Sequence, residues 1–291
     1  MIYDIRHITT YLYENAVGSA RCALRLAPRV TREQIVLDRG LEIAPHPHGL
    51  RATQDFFGNA VSSFRIDNPH RELRIAALSR VEVRRSPQPY GELTPTWEEI
   101  RASAASSRLL GPASPAHFLY PTAMTPLYAP ATAYAAQSFS PGRPILSAAI
   151  DLMGRIHRDF RFDPTATDVA TPLAQAFEQR GGVCQDFAHI MIAAMRGLGL
   201  PAAYVSGYIR TIPPEGQPRL EGADASHAWA QVWCGPAGWL GLDPTNNLQI
   251  NDDFIETAIG RDYADVAPVS GVLHASGAQD VRAAVDVIPV G

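Results

Sequence analysis

The segment from residue 181 to residue 200, GGVCQDFAHIMIAAMRGLGL, is the sequence feature that most restricts the fold of this chain. Its apolar side chains recur every three or four residues, the period of one buried face of an α-helix: Phe187, Ile190, Met191, Ala194, Met195 and Leu198. Gly199 and Pro201 follow this run and are typical of a helix end. The sequence therefore predicts a buried helix whose first turn contains Cys184.

This position makes Cys184 a candidate nucleophile. The free main-chain N–H groups at a helix start and the helix dipole favour the thiolate form of cysteine, which attacks carbonyl carbon. Gly181 and Gly182, just before it, let the chain turn tightly and leave space for a substrate. A free cysteine is nevertheless more often a small buried hydrophobic residue, so position alone does not identify an enzyme. Cys234, next to a predicted turn, has no nearby base and is expected to be inert, and Cys22 lies in an alternating run and is expected to be a core residue.

The segment DASHAWAQVWCGPAGWLGLDPTNN, residues 224–247, predicts a β-hairpin. Two alternating apolar runs are separated by the turn residues Gly235, Pro236 and Gly238. His227 opens the first run and Asp243 closes the second, at equal distances from Gly235. A hairpin centred on Gly235 would place them directly opposite each other, with Cβ atoms about 5 Å apart, so that the carboxylate could hold one imidazole nitrogen.

Cysteine, histidine and aspartate in this arrangement supply what nucleophilic acyl transfer needs: a thiolate, a proton carrier and a group that fixes its tautomer. The motifs GVCQDFAH, AAYVSGYI, SHAWAQVW and GWLGLDPTN resemble the catalytic core of the transglutaminase-like superfamily, a papain-like-fold group that includes transglutaminases and bacterial cysteine proteases. The resemblance extends from about Ser147 to Tyr263. It implies that Cys184 is the nucleophile, His227 the general base and acid, and Asp243 the residue that orients the imidazole.

Residues 1–85 have the pattern of a β domain. Five runs alternate apolar and polar residues and are separated by Pro, Gly and Asn, which predicts a β-sandwich. The phrases LRLAPR, DFFGN and PHRELRI also resemble the N-terminal β domain that accompanies bacterial transglutaminase-like cores. His46 and His48 lack nearby Cys, Asp or Glu at ligand spacing, so we expect solvated loop residues rather than a metal site.

We expect an α+β fold with four parts. Residues 1–85 form the N-terminal β-sandwich, and residues 86–144 form a proline-rich helical connector. Residues 145–265 form the transglutaminase-like, papain-like core, in which the cysteine helix packs on an antiparallel sheet. Residues 266–291 form C-terminal strands that pack on the core or on the N-terminal domain. Within the core, the Gly- and Pro-containing residues 213–224 are a candidate rim or lid.

Composition argues against several classes of function. The 291-residue chain has a formal net charge of −4, which gives no indication of nucleic-acid or anionic-membrane binding. Three widely spaced cysteines favour neither a disulfide framework nor a zinc site, and the N-terminus lacks the features of a secretory signal. We therefore expect a cytoplasmic protein without a metal, an organic cofactor, or a nucleic-acid or membrane partner. The sequence makes no prediction of oligomeric state.

Several residues near the proposed triad have competing interpretations. Trp229 and Tyr208 are candidate substrate-binding side chains, although tryptophans in a short hairpin more often fill core packing. His189 lies five residues after Cys184 on the predicted helix, which favours a structural role over that of the base. Asp186 is explained by the favourable interaction of a carboxylate with the start of a helix dipole.

The residues and the resemblance together predict acyl transfer through a thioester. The favoured activity is hydrolysis of a peptide or small amide, as in a cysteine protease or amidase, with that peptide or amide as the binding partner. Transamidation to an amine acceptor uses the same residues and is the alternative. A non-catalytic binding module on the same fold is the alternative from another class, and the intact set of Cys, His and Asp argues against it.

Overall fold

The computed structural model describes residues 1–211, 222, 225–274 and 276–290 and shows the predicted α+β fold. The strands, in chain order, are β1 (Ile2–Val17), β2 (Ser19–Leu24), β3 (Gln34–Ala44), β4 (His48–Gln54), β5 (Ala60–Ile66), β6 (His70–Val83), β7 (Arg161–Phe162), β8 (Gly181–Gly182), β9 (Ala202–Ile209), β10 (Ala225–Trp233), β11 (Trp239–Asp243), β12 (Leu248–Gln249), β13 (Phe254–Gly260), β14 (Val269–His274) and β15 (Gln279–Pro289). The α-helices are α1 (Trp97–Ala105), α2 (Ala129–Ala136), α3 (Ile145–Asp159), α4 (Leu173–Gln179), α5 (Cys184–Gly197) and α6 (Tyr263–Val266). Within the described ranges, no helix combines the length and the apolar character that crossing a membrane requires.

Two four-stranded antiparallel sheets form the N-terminal sandwich. One sheet has the strand order β15–β1–β6–β3 and the other has the order β14–β2–β5–β4. Apolar side chains from both sheets meet between them, among them Val17, Leu24, Phe64 and Ile75. The last two strands of the chain complete these sheets, because β14 pairs with β2 and β15 pairs with β1.

The N-terminal region contains one strand, β4, that the sequence did not predict. All seven residues of β4 are exposed, so the strand has no buried face and no alternating apolar pattern. Because β4 begins at His48, the expectation that His48 lies in a loop was wrong, although His46 and His48 are both exposed. The DFFGN segment forms the turn that connects β4 to β5 and contains Gly58 at φ +78°.

The core region is built on a five-stranded antiparallel sheet with the order β12–β11–β10–β9–β13. Helix α5 packs on one face of this sheet. Alternate residues of β10 contact it in the main apolar core: Ala228, Ala230 and Val232. The helix ends as the sequence predicted, because Gly199 adopts φ +75° and the N–H of Leu200 donates to the carbonyl of Met195 at 3.0 Å.

Arg196, near the end of α5, joins the connector to the core. Arg196 is 3% exposed, and its guanidinium donates to the Thr125 hydroxyl and to the carbonyls of Phe118, Ala202 and Arg261. Burial lowers the pKa of Arg196 to about 10. Four neutral acceptors thus satisfy a buried cation whose cost would otherwise be large.

The hairpin of β10 and β11 has a different register from the predicted one. Trp233 pairs with Trp239, and the N–H of Cys234 donates to the carbonyl of Gly238 at 2.8 Å, which closes a five-residue loop. The hairpin is therefore centred on Pro236 instead of Gly235. Both loop glycines, Gly235 and Gly238, adopt positive φ, which allows the chain to reverse over this loop. Moving the centre by one residue changes the pairing by two, so that Trp239 pairs with Trp233 instead of Gln231.

This register overturns the expectation that His227 and Asp243 are directly opposed. The last regular pair is Ala230 with Leu242, so Asp243 lies level with Trp229, two residues along β10 from His227. Diagonal positions of this kind have Cα atoms about 7–8 Å apart, within reach of long side chains. The two side chains can therefore still meet.

Two buried amides of the sandwich cover the outer edge of the core sheet, formed by β13. Gln34 Nε2 donates to the carbonyl of Glu256 at 2.8 Å, and the N–H of Glu256 donates to Gln34 Oε1 at 2.8 Å. Asn59 pairs in the same way with the N–H and the carbonyl of Ile259, at 2.8 Å each. Both amide side chains belong to residues that are 0% exposed. They satisfy main-chain groups that a neighbouring strand would otherwise have to pair.

We expect Gln34→Ala to destabilise the protein by roughly 1–3 kcal/mol, because it leaves the buried N–H of Glu256 without a partner, while the Glu256 carbonyl keeps only the N–H of Arg29. The free energy of unfolding should be measured in urea. Gln54→Ala is the matched control, because Gln54 is exposed and its loss should cost less than about 0.5 kcal/mol. Equal stability of the two variants would show that the amide pairing contributes nothing.

Candidate active site

Cys184 is the first residue of α5, and a buried carboxylate organises the turn before it. Asp186 Oδ2 accepts hydrogen bonds from the N–H of Val183 at 2.8 Å and from Thr167 Oγ1 at 2.6 Å. A Cβ on Gly182 would lie 2.5 Å from Asp186 Oδ2, so this glycine makes room for the carboxylate. Burial raises the pKa of Asp186, although the bonds from Thr167 and Val183 act in the opposite direction. Asp186 is thus a helix cap, a more specific role than the dipole interaction expected from the sequence.

His227 and Asp243 meet beside the start of α5. His227 Nε2 donates to Asp243 Oδ2 at 2.8 Å, and the two residues are 7% and 0% exposed. Cys184 lies near enough to His227 to contribute to the rise in its pKa, and since Asp243 occupies Nε2, Nδ1 is the ring nitrogen that remains for the thiol. The structure thus brings together the three side chains that the sequence singled out.

The environment favours the charged forms of both His227 and Asp243. Burial by itself would lower the pKa of His227, but hydrogen bonds and charge interactions with Asp243 and Cys184 outweigh it and raise that pKa. Burial would likewise raise the pKa of Asp243, but the bonds from His227, Asn246 and Thr245 outweigh it and hold that pKa below its usual range. An imidazolium paired with a carboxylate is the consistent outcome.

Asn246 is a site residue that the sequence interpretation missed. Its Nδ2 donates to Asp243 Oδ2 at 2.7 Å and lies 3.4 Å from His227 Nε2. The main-chain N–H groups of Thr245 and Asn246 donate to Asp243 Oδ1 at 2.9 and 3.3 Å. The signal was present in the DPTN motif, since an aspartate before proline and polar turn residues commonly accepts from the main chain two or three residues later.

Neither candidate substrate-binding side chain lies at an accessible surface. Trp229 is 0% exposed, and its ring centroid is 6.1 Å from that of His227 and 5.4 Å from that of Phe254. Tyr208 is 2% exposed; its hydroxyl contacts His7 Nδ1 at 3.0 Å and donates to the carbonyl of Leu26 at 3.1 Å. This burial argues against substrate contact. The Trp229 ring packs beside the His227 ring. The Tyr208 hydroxyl connects the core to His7 and Leu26 of the sandwich.

His189 of α5 and the other two cysteines, Cys22 and Cys234, are more deeply buried than Cys184. His189 is 4% exposed, its Nε2 accepts from the N–H of Tyr263 at 3.2 Å, and burial lowers its pKa to about 4. Burial raises the pKa of the Cys22 thiol to about 11 and that of Cys234 to about 12. Cys184, by contrast, is only half-buried.

Two further sequence expectations concern the surroundings of the site. In the part of the chain that the structure describes, no group of three His, Cys, Asp or Glu side chains is arranged to hold a metal ion. The candidate rim or lid at residues 213–224 lies outside the described residues except for Gly222.

Comparison with protein families divides the chain into two matched regions. Residues 3–82 match the bacterial transglutaminase-like N-terminal region. Residues 132–244, which include Cys184, His227 and Asp243, match the transglutaminase-like superfamily.

Individual relatives extend this result. A protein of Mycobacterium tuberculosis named only as uncharacterised is 37% identical over 99% of this chain and 92% of its own length, and one from Mycobacterium leprae is 33% identical over 97% and 96%. A protein-glutamine gamma-glutamyltransferase of Pseudomonas aeruginosa is 30% identical over 41% of this chain and 20% of its own length. A crystal structure of a Cytophaga hutchinsonii protein, provisionally named a cysteine protease, aligns with TM-score 0.78 over 100% of this chain and 92% of that one. Its sequence identity is 20%, so it supports the shared fold alone.

We expect Asn246→Ala to raise the pKa of Asp243, because the variant removes a donor that stabilises the carboxylate. The stability that the ionised carboxylate contributes is present above its ordinary pKa of 3.8 and is lost as the pH falls through its lower folded-state pKa. In the variant this loss should begin at a higher pH. Acid unfolding followed by circular dichroism measures the shift, with exposed Asn68→Ala as the control. Identical acid midpoints in the two variants would exclude the effect.

Proposed function

We propose that this chain, which belongs to the transglutaminase-like superfamily, is an enzyme that transfers acyl groups through a thioester on Cys184. The observation that carries the proposal is the 2.8 Å hydrogen bond between His227 and Asp243 beside the helix start that presents Cys184. A half-buried thiol, a buried imidazole with a raised pKa and an ionised carboxylate are the groups that this chemistry requires.

In the proposed reaction the Cys184 thiolate attacks the carbonyl carbon of an amide. The resulting oxyanion is stabilised by main-chain N–H groups at the start of α5, where the first turn has no helical carbonyl partners. The His227 imidazolium then gives its proton to the departing amine as the C–N bond breaks, which leaves a thioester. Asp243 keeps its negative charge and holds the ring in the orientation that presents Nδ1 to sulphur.

The thioester is resolved by a second nucleophile, and we propose water as the first candidate. Neutral His227 removes a proton from water, the oxygen attacks the thioester carbonyl, and Cys184 leaves as the thiolate. Water needs no binding site of its own, so hydrolysis of a peptide or small amide is the simpler activity. Transamidation is the second candidate, favoured by the Pseudomonas aeruginosa relative, whose name describes transfer of glutamyl groups.

A non-catalytic binding module is the remaining alternative. It would have no reason to keep a buried His227–Asp243 pair, because a buried ion pair is often no more stable than apolar residues of the same volume.

All three cysteines are unpaired, which fits a reducing compartment. We therefore propose that the enzyme acts in the cytoplasm.

A trapped acyl-enzyme tests the nucleophile. After brief exposure to p-nitrophenyl acetate and acid quenching, mass spectrometry of the digested protein should find the acetyl group on the peptide that contains Cys184. Cys184→Ala should lose the label and the release of nitrophenol, whereas Cys22→Ala should keep both, since burial raises the pKa of Cys22 to about 11. Equal nitrophenol release from Cys184→Ala and the parent protein would refute the nucleophile assignment.

Addition of a primary amine then distinguishes the two acyl acceptors, because transamidation yields the acetylated amine and hydrolysis yields acetate.

The pH dependence of amide cleavage tests the proton donor. Activity needs the His227 imidazolium, so the alkaline limb of the pH–rate profile should lie well above 6.5, the ordinary pKa of histidine. Asp243→Asn removes the carboxylate that opposes burial, so the pKa of His227 should fall and the limb should move to lower pH. We also expect the rate to fall by about 100-fold or more. A limb that stays in place in Asp243→Asn would show that another group delivers the proton.

A further inference from the structure

A cavity of about 610 Å³ lies between the sandwich, the connector and the hairpin of the core. Its described lining includes Arg29 and Arg85 of the sandwich, Phe118 of the connector, and Gln231 and Trp239 of the hairpin. Cys184, His227 and Asp243 do not line it. Its volume is in the usual range for sites that bind small organic molecules.

One side of the cavity is aromatic. The ring centroid of Phe118 is 5.4 Å from that of Phe57 and 4.9 Å from that of Trp239. Trp239 is held in place by a hydrogen bond from its Nε1 to the carbonyl of Ala113 at 3.0 Å. Three fixed rings in contact favour a flat, apolar body in the ligand.

The charge on the cavity wall is predominantly positive. The described lining contains four arginines and two glutamates: Arg29, Arg32, Arg84, Arg85, Glu33 and Glu256. Both glutamates are already paired with Arg85, at 3.4 and 3.2 Å. Four arginines against two glutamates leave the wall with an excess of positive charge, and an anion is the ligand class that this charge favours.

Arg29 is the arginine best placed to bind this anion. Its Nη1 is fixed by bonds to the carbonyl of Phe57, at 3.1 Å, and to Asn59 Oδ1, both of which are neutral acceptors. Within the described ranges it forms no ion pair, and its Nη2 donates to no acceptor. Burial lowers the pKa of Arg29 even though Glu256 and Asp55 act in the opposite direction. A rigid, partly desolvated and unpaired guanidinium is a strong site for a carboxylate.

We propose that this cavity binds a small organic carboxylate with a flat apolar body, its carboxylate on Arg29 and its body against Phe57, Phe118 and Trp239. The site is separate from the reaction proposed at Cys184 and does not depend on it. No metal ion or bond-making step is involved.

Calorimetry with 2-naphthoate and its neutral analogue 2-naphthamide tests the proposal on the full chain. The carboxylate should bind about tenfold more tightly or better, since a charge-assisted pair is worth that factor. Arg29→Gln should abolish the preference. Arg84→Gln should keep it, because the Arg84 side chain is 73% exposed and pairs with Glu82.

A second variant locates the site without removing Arg29. Trp239→Leu should weaken both naphthalene compounds while the carboxylate keeps its preference. The Trp239→Leu variant also tests the site if Arg29→Gln fails to fold, which thermal unfolding would show. Equal affinity for the two compounds, no binding at millimolar concentration, unchanged affinities in Trp239→Leu or a lost preference in Arg84→Gln would each overturn the proposal.

Discussion

The carboxylate of Asp243 is the constraint on which the proposed active site depends. A carboxylate on a residue that is 0% exposed is costly unless its oxygens are hydrogen bonded. Here one oxygen accepts from His227 and Asn246, and the other accepts from two consecutive main-chain N–H groups. The chain after β11 must therefore fold back around Asp243. That turn fixes where the imidazole can lie relative to the start of α5.

The same network explains why a shifted hairpin still forms a site. Asp243 is level with Trp229, and its carboxylate is fixed by the turn that follows β11, where Thr245 and Asn246 donate to it. The Asp243 side chain extends diagonally across the strand pair toward His227, and the two side chains form a hydrogen bond of 2.8 Å. Paired in this way, each residue raises the share of the charged form in the other. The charge pattern is therefore a property of the pair and the turn together.

The sequence predicts features that depend on residues close together in the chain. It does not predict features that depend on residues far apart in the chain. The period of α5, its glycine end and the position of Cys184 follow from local spacing. The register of the hairpin does not, because two loop glycines with positive φ change the centre by one residue. Strand β4 has no buried face to produce a pattern. The buried environment of Tyr208 depends on Leu26, which lies 182 residues earlier in the chain.

The contacts between the sandwich and the core imply that neither is complete alone. The outer edge of the core sheet is paired by the amides of Gln34 and Asn59, while the two final strands of the chain belong to the sandwich sheets. Without the sandwich, β13 would expose unpaired main-chain groups, which invite association with other strands. Strand β9, which pairs with both β13 and the histidine strand β10, would lose support on that side. The N-terminal domain therefore contributes to the proposed site by keeping the sheet that carries His227 in one register.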